Sequence, residues 1–283
     1  MVMTKVKSLC AFVISGVLLV PPEVLSSVIA HSEISYHDVG ITPTAGSVLF
    51  TGPWILEAQA GADNSLGEID SRYADVVGPG LAAASDAVTW ASSSGDTADP
   101  EPTPPYLDIT GSGVADGDIT GQTNASAESF GLSTVSRDDP FLPSYFEITG
   151  GEPGGPVSVT FSVLIDYALS VTTDQYGVLA EAEAIFSQEL FGDDVGFVLF
   201  NTFDQLLSIG PNEHQEDANT NRLLSYTLDL QYGTLYTLLL EADAEARVVN
   251  ANVPEPAIQW LMALTLPVLY RATRRGRDAP NQV

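Results

Sequence analysis

The residues best suited to chemistry in this chain are carboxylates placed at every second position. Glu181 and Glu183 alternate with Ala180, Ala182 and Ala184, and Glu241, Asp243 and Glu245 alternate with Ala242 and Ala244. Side chains two apart on an extended strand share a face, so each row gathers acids on one side of a sheet. Should the two rows lie on neighbouring strands, like charges would oppose one another and weaken the pairing. A divalent ion would relieve that repulsion. Ca2+, which takes about six to eight oxygens from carboxylates and carbonyls, is the cofactor these rows would hold, while screening by saline water would serve equally. Asp116-Gly117-Asp118 and Asp193-Asp194 are expected to be acidic pairs in turns with the same affinity for calcium.

Other chemistry is sparse. There is no Gly-x-Ser-x-Gly elbow, no His-Glu-x-x-His, no glycine-rich phosphate loop followed by lysine, and no complete EF-hand loop. His37, in Ser-Tyr-His-Asp, has the type of a metal ligand or general base but reads more simply as a surface histidine at a strand edge. His214 sits in Gly210-Pro-Asn-Glu-His-Gln-Glu-Asp-Ala-Asn, which reads as a solvated polar connection. No catalytic residues are assigned.

Charge narrows the partners. Of the 37 acidic residues all but Glu23 and Asp278 lie between His31 and Pro256, where the cations are Arg72, Arg137, Arg222 and Arg247 and lysine is absent. The formal net charge of that segment is −31 with histidine neutral. Nucleic acid is excluded, because phosphate binding needs clustered Lys and Arg. Polyanionic sugars and anionic lipid headgroups are disfavoured for the same reason. Neutral glycans, cationic partners and divalent ions are compatible, and so is a plain role for acidity in solubility.

The elements that position these acids are strands. From Val157 to Val171 the odd positions are apolar or aromatic, with Ser158, Thr160, Ser162 and Asp166 between them, which is a long strand with one buried face. Leu224 to Gln231 and Tyr236 to Val248 repeat the pattern around Gly233 and are expected to form an antiparallel hairpin. Helix formers fill Leu179 to Ala184 and Leu240 to Ala246, yet their period is two, so both are expected to be strands. Further strands are expected at 34–39, 47–59, 87–91, 106–110 and 129–136, with a proline-stiffened loop at Pro100 to Pro105 and a break at Gly150 to Pro156. The fold class expected is all-β, a single antiparallel β-sandwich of roughly eight to twelve strands, of jelly-roll or Greek-key type. Many inward alanines imply closely approaching sheets.

Both termini carry a different pattern. Lys5 and Lys7 precede an apolar core from Leu9 to Val20, and Val28 and Ala30 stand at −3 and −1 of a cleavage after Ala30. Removing this signal helix removes Cys10, the sole cysteine, so stability must come from a core instead of disulfides. At the other end, Pro254-Glu255-Pro256 is followed by an apolar run from Ala257 to Tyr270 and by Arg271, Arg274, Arg275 and Arg277. Four arginines beside a short apolar helix hold that end in the cytoplasm and leave the acidic body outside. The run, interrupted by Gln259 and Pro267, is shorter than the roughly 20 residues a span normally needs, and spans if the arginines snorkel and the bilayer thins.

This three-part ending resembles the PEP-CTERM sorting signal of Gram-negative bacteria, over roughly residues 253–277. The resemblance implies an exosortase, an integral-membrane cysteine peptidase, as partner: it recognises the signal at the inner membrane, cuts near the motif and passes the protein to the outer surface. Pro254, Glu255 and Pro256 would then be substrate. A plain tail anchor with a proline-rich neck is the competing reading. The expected organisation is a signal peptide (1–30), one acidic β-sandwich ectodomain (31–252), a sorting signal (253–277) and a tail (278–283). The leading function is a non-catalytic surface or matrix protein associated with envelope or exopolysaccharide. A glycan- or Ca2+-dependent adhesive module, with Trp54 and Trp90 as stacking or core aromatics, is the first alternative, and a carboxylate-based secreted glycoside hydrolase the second.

Overall fold

Alternation becomes burial along the whole of the longest apolar strand: every second residue from Val157 to Thr173 is buried and the residues between are half-exposed. The computed structural model describes residues 27–120, 126–136, 145–173, 179–193, 196–210 and 213–249. Within them the chain forms β1 (Ser27–Pro43), β2 (Ser47–Thr51), β3 (Ile55–Asn64), β4 (Ile69–Val77), β5 (Leu81–Val88), β6 (Ala91–Thr103) and β7 (Tyr106–Thr120). There follow β8 (Ser126–Ser136), β9 (Tyr145–Thr149), β10 (Pro156–Thr173), β11 (Leu179–Gly192), β12 (Gly196–Ile209), β13 (His214–Gln231) and β14 (Leu235–Val249). One sheet has the order β13-β10-β1-β7-β6-β5. The second, eight-stranded, has the order β12-β11-β14-β8-β3-β4, with β2 and β9 attached beside β14. Every strand pair is antiparallel, in line with the antiparallel all-β fold expected.

The buried faces of the two sheets share one hydrophobic cluster, from Val28 through Phe161 and Phe186 to Val248. Alanine supplies much of the second sheet's inner face: Ala58, Ala60, Ala180, Ala182, Ala184, Ala242 and Ala244 are all essentially inaccessible. With so little side chain between them, backbones of opposite sheets come within reach of hydroxyls. Ser32 of β1 donates to the carbonyl of Glu183 at 2.5 Å, Ser93 of β6 to that of Gly61 at 3.0 Å, and Thr97 of β6 to that of Glu57 at 2.8 Å. Each satisfies a buried hydroxyl and pins the sheets at a fixed height.

Several expectations are corrected. The two runs around Gly233 do not form a hairpin: β13 pairs with β10 in one sheet, and β14 with β11 and β8 in the other. A period of two says which face is buried but not which strand lies alongside, and an arch between sheets satisfies it as well as a hairpin does. Gly233, at φ 75°, is held by its N–H to the Ile148 carbonyl instead of closing a two-strand turn. Asp116-Gly117-Asp118 lies inside β7, not in a turn. Gly117 leaves room there for Val248 of the opposite sheet, whose side chain comes to 3.1 Å from where a Cβ would stand. The polar stretch at His214 opens β13 instead of forming a loop. The span 87–91 is not one strand but the end of β5 (Ala87, Val88), a turn at Thr89 and Trp90, the latter at φ 75°, and the start of β6 at Ala91, and 47–59 is broken by Gly52 at φ 80° into β2 and β3. Most of the expected proline loop is strand: β6 runs through Pro102 to Thr103, beside a register shift between Ala98 and Glu101.

Fourteen strands among the described residues exceed the expected number, because β4, β5 and β6 are rich in Ala, Ser and Asp and carry little apolar alternation. β1 also starts at Ser27, with Val28 and Ala30 fully buried, ahead of the boundary expected at residue 31. The segment before Ser27, expected to be a signal peptide, and the expected sorting signal, including Pro254 to Pro256 and Arg271 to Arg277, lie outside the described residues. Among the described residues no helix is long and apolar enough to cross a membrane.

Candidate functional site

The two acidic rows meet on the outer face of the second sheet. β11 and β14 are neighbours, and their register sets Glu183 against Glu245, Glu181 against Arg247, and Asp243 against Ile185. On the far side of β14, Glu245 faces Phe130 and Arg247 faces Glu128 of β8, which in turn face Gly61 and Asp63 of β3. Two rows thus cross five strands, Gly61-Phe130-Glu245-Glu183-Leu206 and Asp63-Glu128-Arg247-Glu181-Ser208, one strand spacing of about 4.8 Å per step. All five carboxylates singled out from sequence, Glu181, Glu183, Glu241, Asp243 and Glu245, share this face.

A groove of about 500 Å3 runs along these rows, lined among others by Phe130, Glu128, Glu183, Glu245, Arg247 and Leu206. Gly61 shapes its floor: a Cβ there would fall 2.4 Å from the Phe130 ring, so the missing side chain is what lets the ring lie across β3. Arg247 is the cation of the groove. Its Nε donates to Glu128 Oε1 at 2.5 Å, and its Nη1 stands 3.9 Å from Glu181 Oε2. Ser208 adds a bond to Glu181 Oε1 at 3.1 Å. At the β4 side, Tyr73 donates to Glu57 Oε1 at 2.7 Å, and burial together with that carboxylate pushes the phenol up to about 12.

Burial and neighbouring charge raise the pKa of three of the remaining acids. Burial raises Asp243 to about 7, with Glu245, Glu241 and Glu183 adding like charge. Its Oδ1 is buried without a hydrogen-bond partner among the described residues, so the neutral acid is the form the site favours. Glu183 is raised by burial, then by Asp204, Glu245 and Glu181, and Asp204 also shares a hydrogen bond with it. Glu241 is raised by burial and by Glu189. Among the described residues no three His, Cys, Asp or Glu side chains converge as a metal-holding group. Like-charge repulsion, expected from sequence to be relieved by an ion or by saline water, also raises the carboxyls of Asp243, Glu183 and Glu241, behind burial as the larger cause.

The other candidates lie apart from the groove. Trp54 is buried and Trp90 half-buried against the core. His214 Nδ1 is 2.7 Å from Thr172 Oγ1, with Nε2 3.2 Å from Glu216. His37 stands between Asp38 at 3.1 Å and Asp166 at 3.4 Å. Asp193 follows β11 in a turn, and Asp194 is outside the described residues. His31 is paired with Asp116, Nδ1 to Oδ1, at 2.7 Å, and that hydrogen bond raises its pKa against the opposing effect of burial. The stabilisation it gives is complete below the ordinary pKa of 6.5 and is lost as pH climbs through the raised value. His31→Ala is therefore expected to cost about 1 kcal/mol or less at pH 5.5 and almost nothing at pH 9, read from urea midpoints at the two pH values.

Phe130, Gly61, Leu206 and the clamp by Glu128 on Arg247 were not legible in the sequence, because each becomes part of a site only through cross-strand register. A lone glycine inside an otherwise apolar-and-acid strand at Gly61 was the one available signal. No protein-family model, curated protein or solved structure matches this chain.

Proposed function

We propose that this chain is an exported, non-catalytic cell-surface or extracellular-matrix protein, with its all-β body as the mature domain and its C-terminus as the address. The observation that carries the reading is the order Pro254-Glu255-Pro256, apolar run, Arg271 to Arg277 behind a lysine-free acidic body. In this reading an exosortase-type membrane peptidase cuts near the motif, the inner membrane is a transient station, and envelope or exopolysaccharide is the final surrounding. The two sheets are read as a sandwich of jelly-roll or related Greek-key type, supported by chain crossings between sheets at β10 to β11 and β13 to β14. Mass spectrometry of the C-terminus in the native host tests the address. A terminal peptide ending near Pro254 to Pro256 on protein outside the cell is the expected result, whereas an arginine tail retained in the inner membrane would overturn it.

The groove favours a second reading, a glycan-binding module, because an aromatic ring flanked by carboxylates is how sugar C–H faces and hydroxyls are both satisfied. Neutral and amino-sugar oligosaccharides fit its charge, polyanionic ones do not. Phe130→Ala is expected to weaken such binding at least tenfold in calorimetric titrations, with and without Ca2+. No heat from any oligosaccharide would sink the module reading, and release of reducing ends during the titration would point instead to a carboxylate-based hydrolase.

A further inference from the structure

We infer that export processing cuts the chain between Ser26 and Ser27, four residues before the bond that the Val28-x-Ala30 pattern suggests. The inference rests on the signal-peptide reading of the N-terminus. β1 is an interior strand, with β7 on one side and β10 on the other, and its first residues are paired on both. Val28 faces Ile119 and Thr173, Ile29 faces Asp118 and Thr172, and Ala30 faces Gly117 and Val171, while Ser27 faces Thr120. Val28 and Ala30 have no accessible surface and belong to the core between the sheets.

A cut after Ala30 would remove these four residues from the middle of the first sheet. The ends of β7 and β10 would lose the partner that satisfies their ladder groups, and backbone polar groups facing the gap would go unpaired. A charged amino terminus would be created at His31, beside the buried Ser32, whose hydroxyl fixes β1 to the Glu183 carbonyl. The bond that positions the acidic strand β11 would then sit on a fraying end. A cut before Ser27 leaves the strand, its core residues and that bond whole.

The sequence upstream supplies what a signal peptidase needs at that bond. Val24 and Ser26 stand at −3 and −1, a small side chain next to the scissile peptide. The bond also lies closer to the end of the apolar core at Val20 than the Ala30 bond does. A peptidase meets the chain before it folds, so burial of Ala30 in the finished sheet does not shield the later bond. The difference lies in the product, since the earlier cut is the one that leaves a complete interior strand.

The test is the N-terminus of the exported protein, made from the full chain in a Gram-negative host and read by Edman sequencing and intact mass. Ser27 is expected. A start at His31, or at any other residue of the exported form, overturns the inference while leaving export standing. Protein that keeps Met1 and the apolar core overturns the export reading itself. In the full chain, Ser26→Tyr puts a bulky side chain at −1 in the segment that the cut removes, and is expected to lower the processed fraction at least tenfold. Unchanged processing of that variant would also overturn the assignment.

Discussion

Asp243→Asn is expected to stabilise the protein at pH 8 and to flatten its pH dependence below that. In the fold the carboxyl is held at about 7, against an ordinary 3.8, because burial and then Glu245, Glu241 and Glu183 disfavour its charge. The sign follows from which state gives up the proton first. The unfolded chain ionises near 3.8 while the folded one still holds its proton, so stability falls as pH rises between the two values and the whole penalty is present above 7. At 1.36 kcal/mol per pH unit, a displacement of about three units sets an upper bound on the order of 4 kcal/mol. Asparagine keeps the shape and carries no charge. The measurement is the urea midpoint of both proteins at pH 4, 6 and 8. The wild type should lose stability across that series and the variant should lose markedly less; equal slopes would remove the account of the acidic face given above. Glu183 and Glu241 are raised for related reasons and titrate with the same sign, so a residual slope in the variant is expected.

Phe146→Ala should produce the largest loss of stability of any single truncation in the aromatic cluster. Phe146 is inaccessible on the short strand β9, and its ring lies 5.5 Å from Tyr236, 6.2 Å from Phe161 and 6.3 Å from Phe50. These partners come from β14, β10 and β2, so one side chain joins both sheets to the strand pair attached beside them. Removing it leaves a cavity that three large rings cannot collapse into, at a cost of about 3–5 kcal/mol. For a domain of this size that corresponds to a fall in Tm of roughly 10 °C. Phe146→Leu, which keeps most of the volume, is expected to lose less than half as much. A Tm unchanged by the alanine variant in calorimetry would mean that β9 does not hold the sheets as described.

How much of this was readable beforehand differs by element, and the reason is the range of the interaction concerned. β10, β11 and β14 were legible because alternation is a local property: a strand with one buried face must repeat every two residues, and runs such as Val157 to Val171 allow nothing else. β4, β5 and β6 were not, since Asp70, Ser71, Ser92, Ser93 and their neighbours carry no apolar alternation and are strands because their neighbours pair with them. Glycine was the least legible residue. Gly117 looks like a turn residue between two aspartates and is instead a gap that Val248 fills, a fact set by the opposite sheet.

The candidate site divides in the same way. That Glu241, Asp243 and Glu245 share a face follows from their spacing alone, as it does for Glu181 and Glu183. That the two rows are adjacent, that Glu183 meets Glu245 and Glu181 meets Arg247, and that Phe130 and Gly61 complete a groove beside them, depends on the register of β3, β8, β14, β11 and β12. By itself the sequence determined the all-β class and the acidic strand faces, because composition, period and charge are properties of short stretches of chain. Strand order, the arch in place of a hairpin, and the burial that pushes the Asp243 carboxyl up were decided by tertiary structure, because each arises only when residues far apart in the chain are packed against one another.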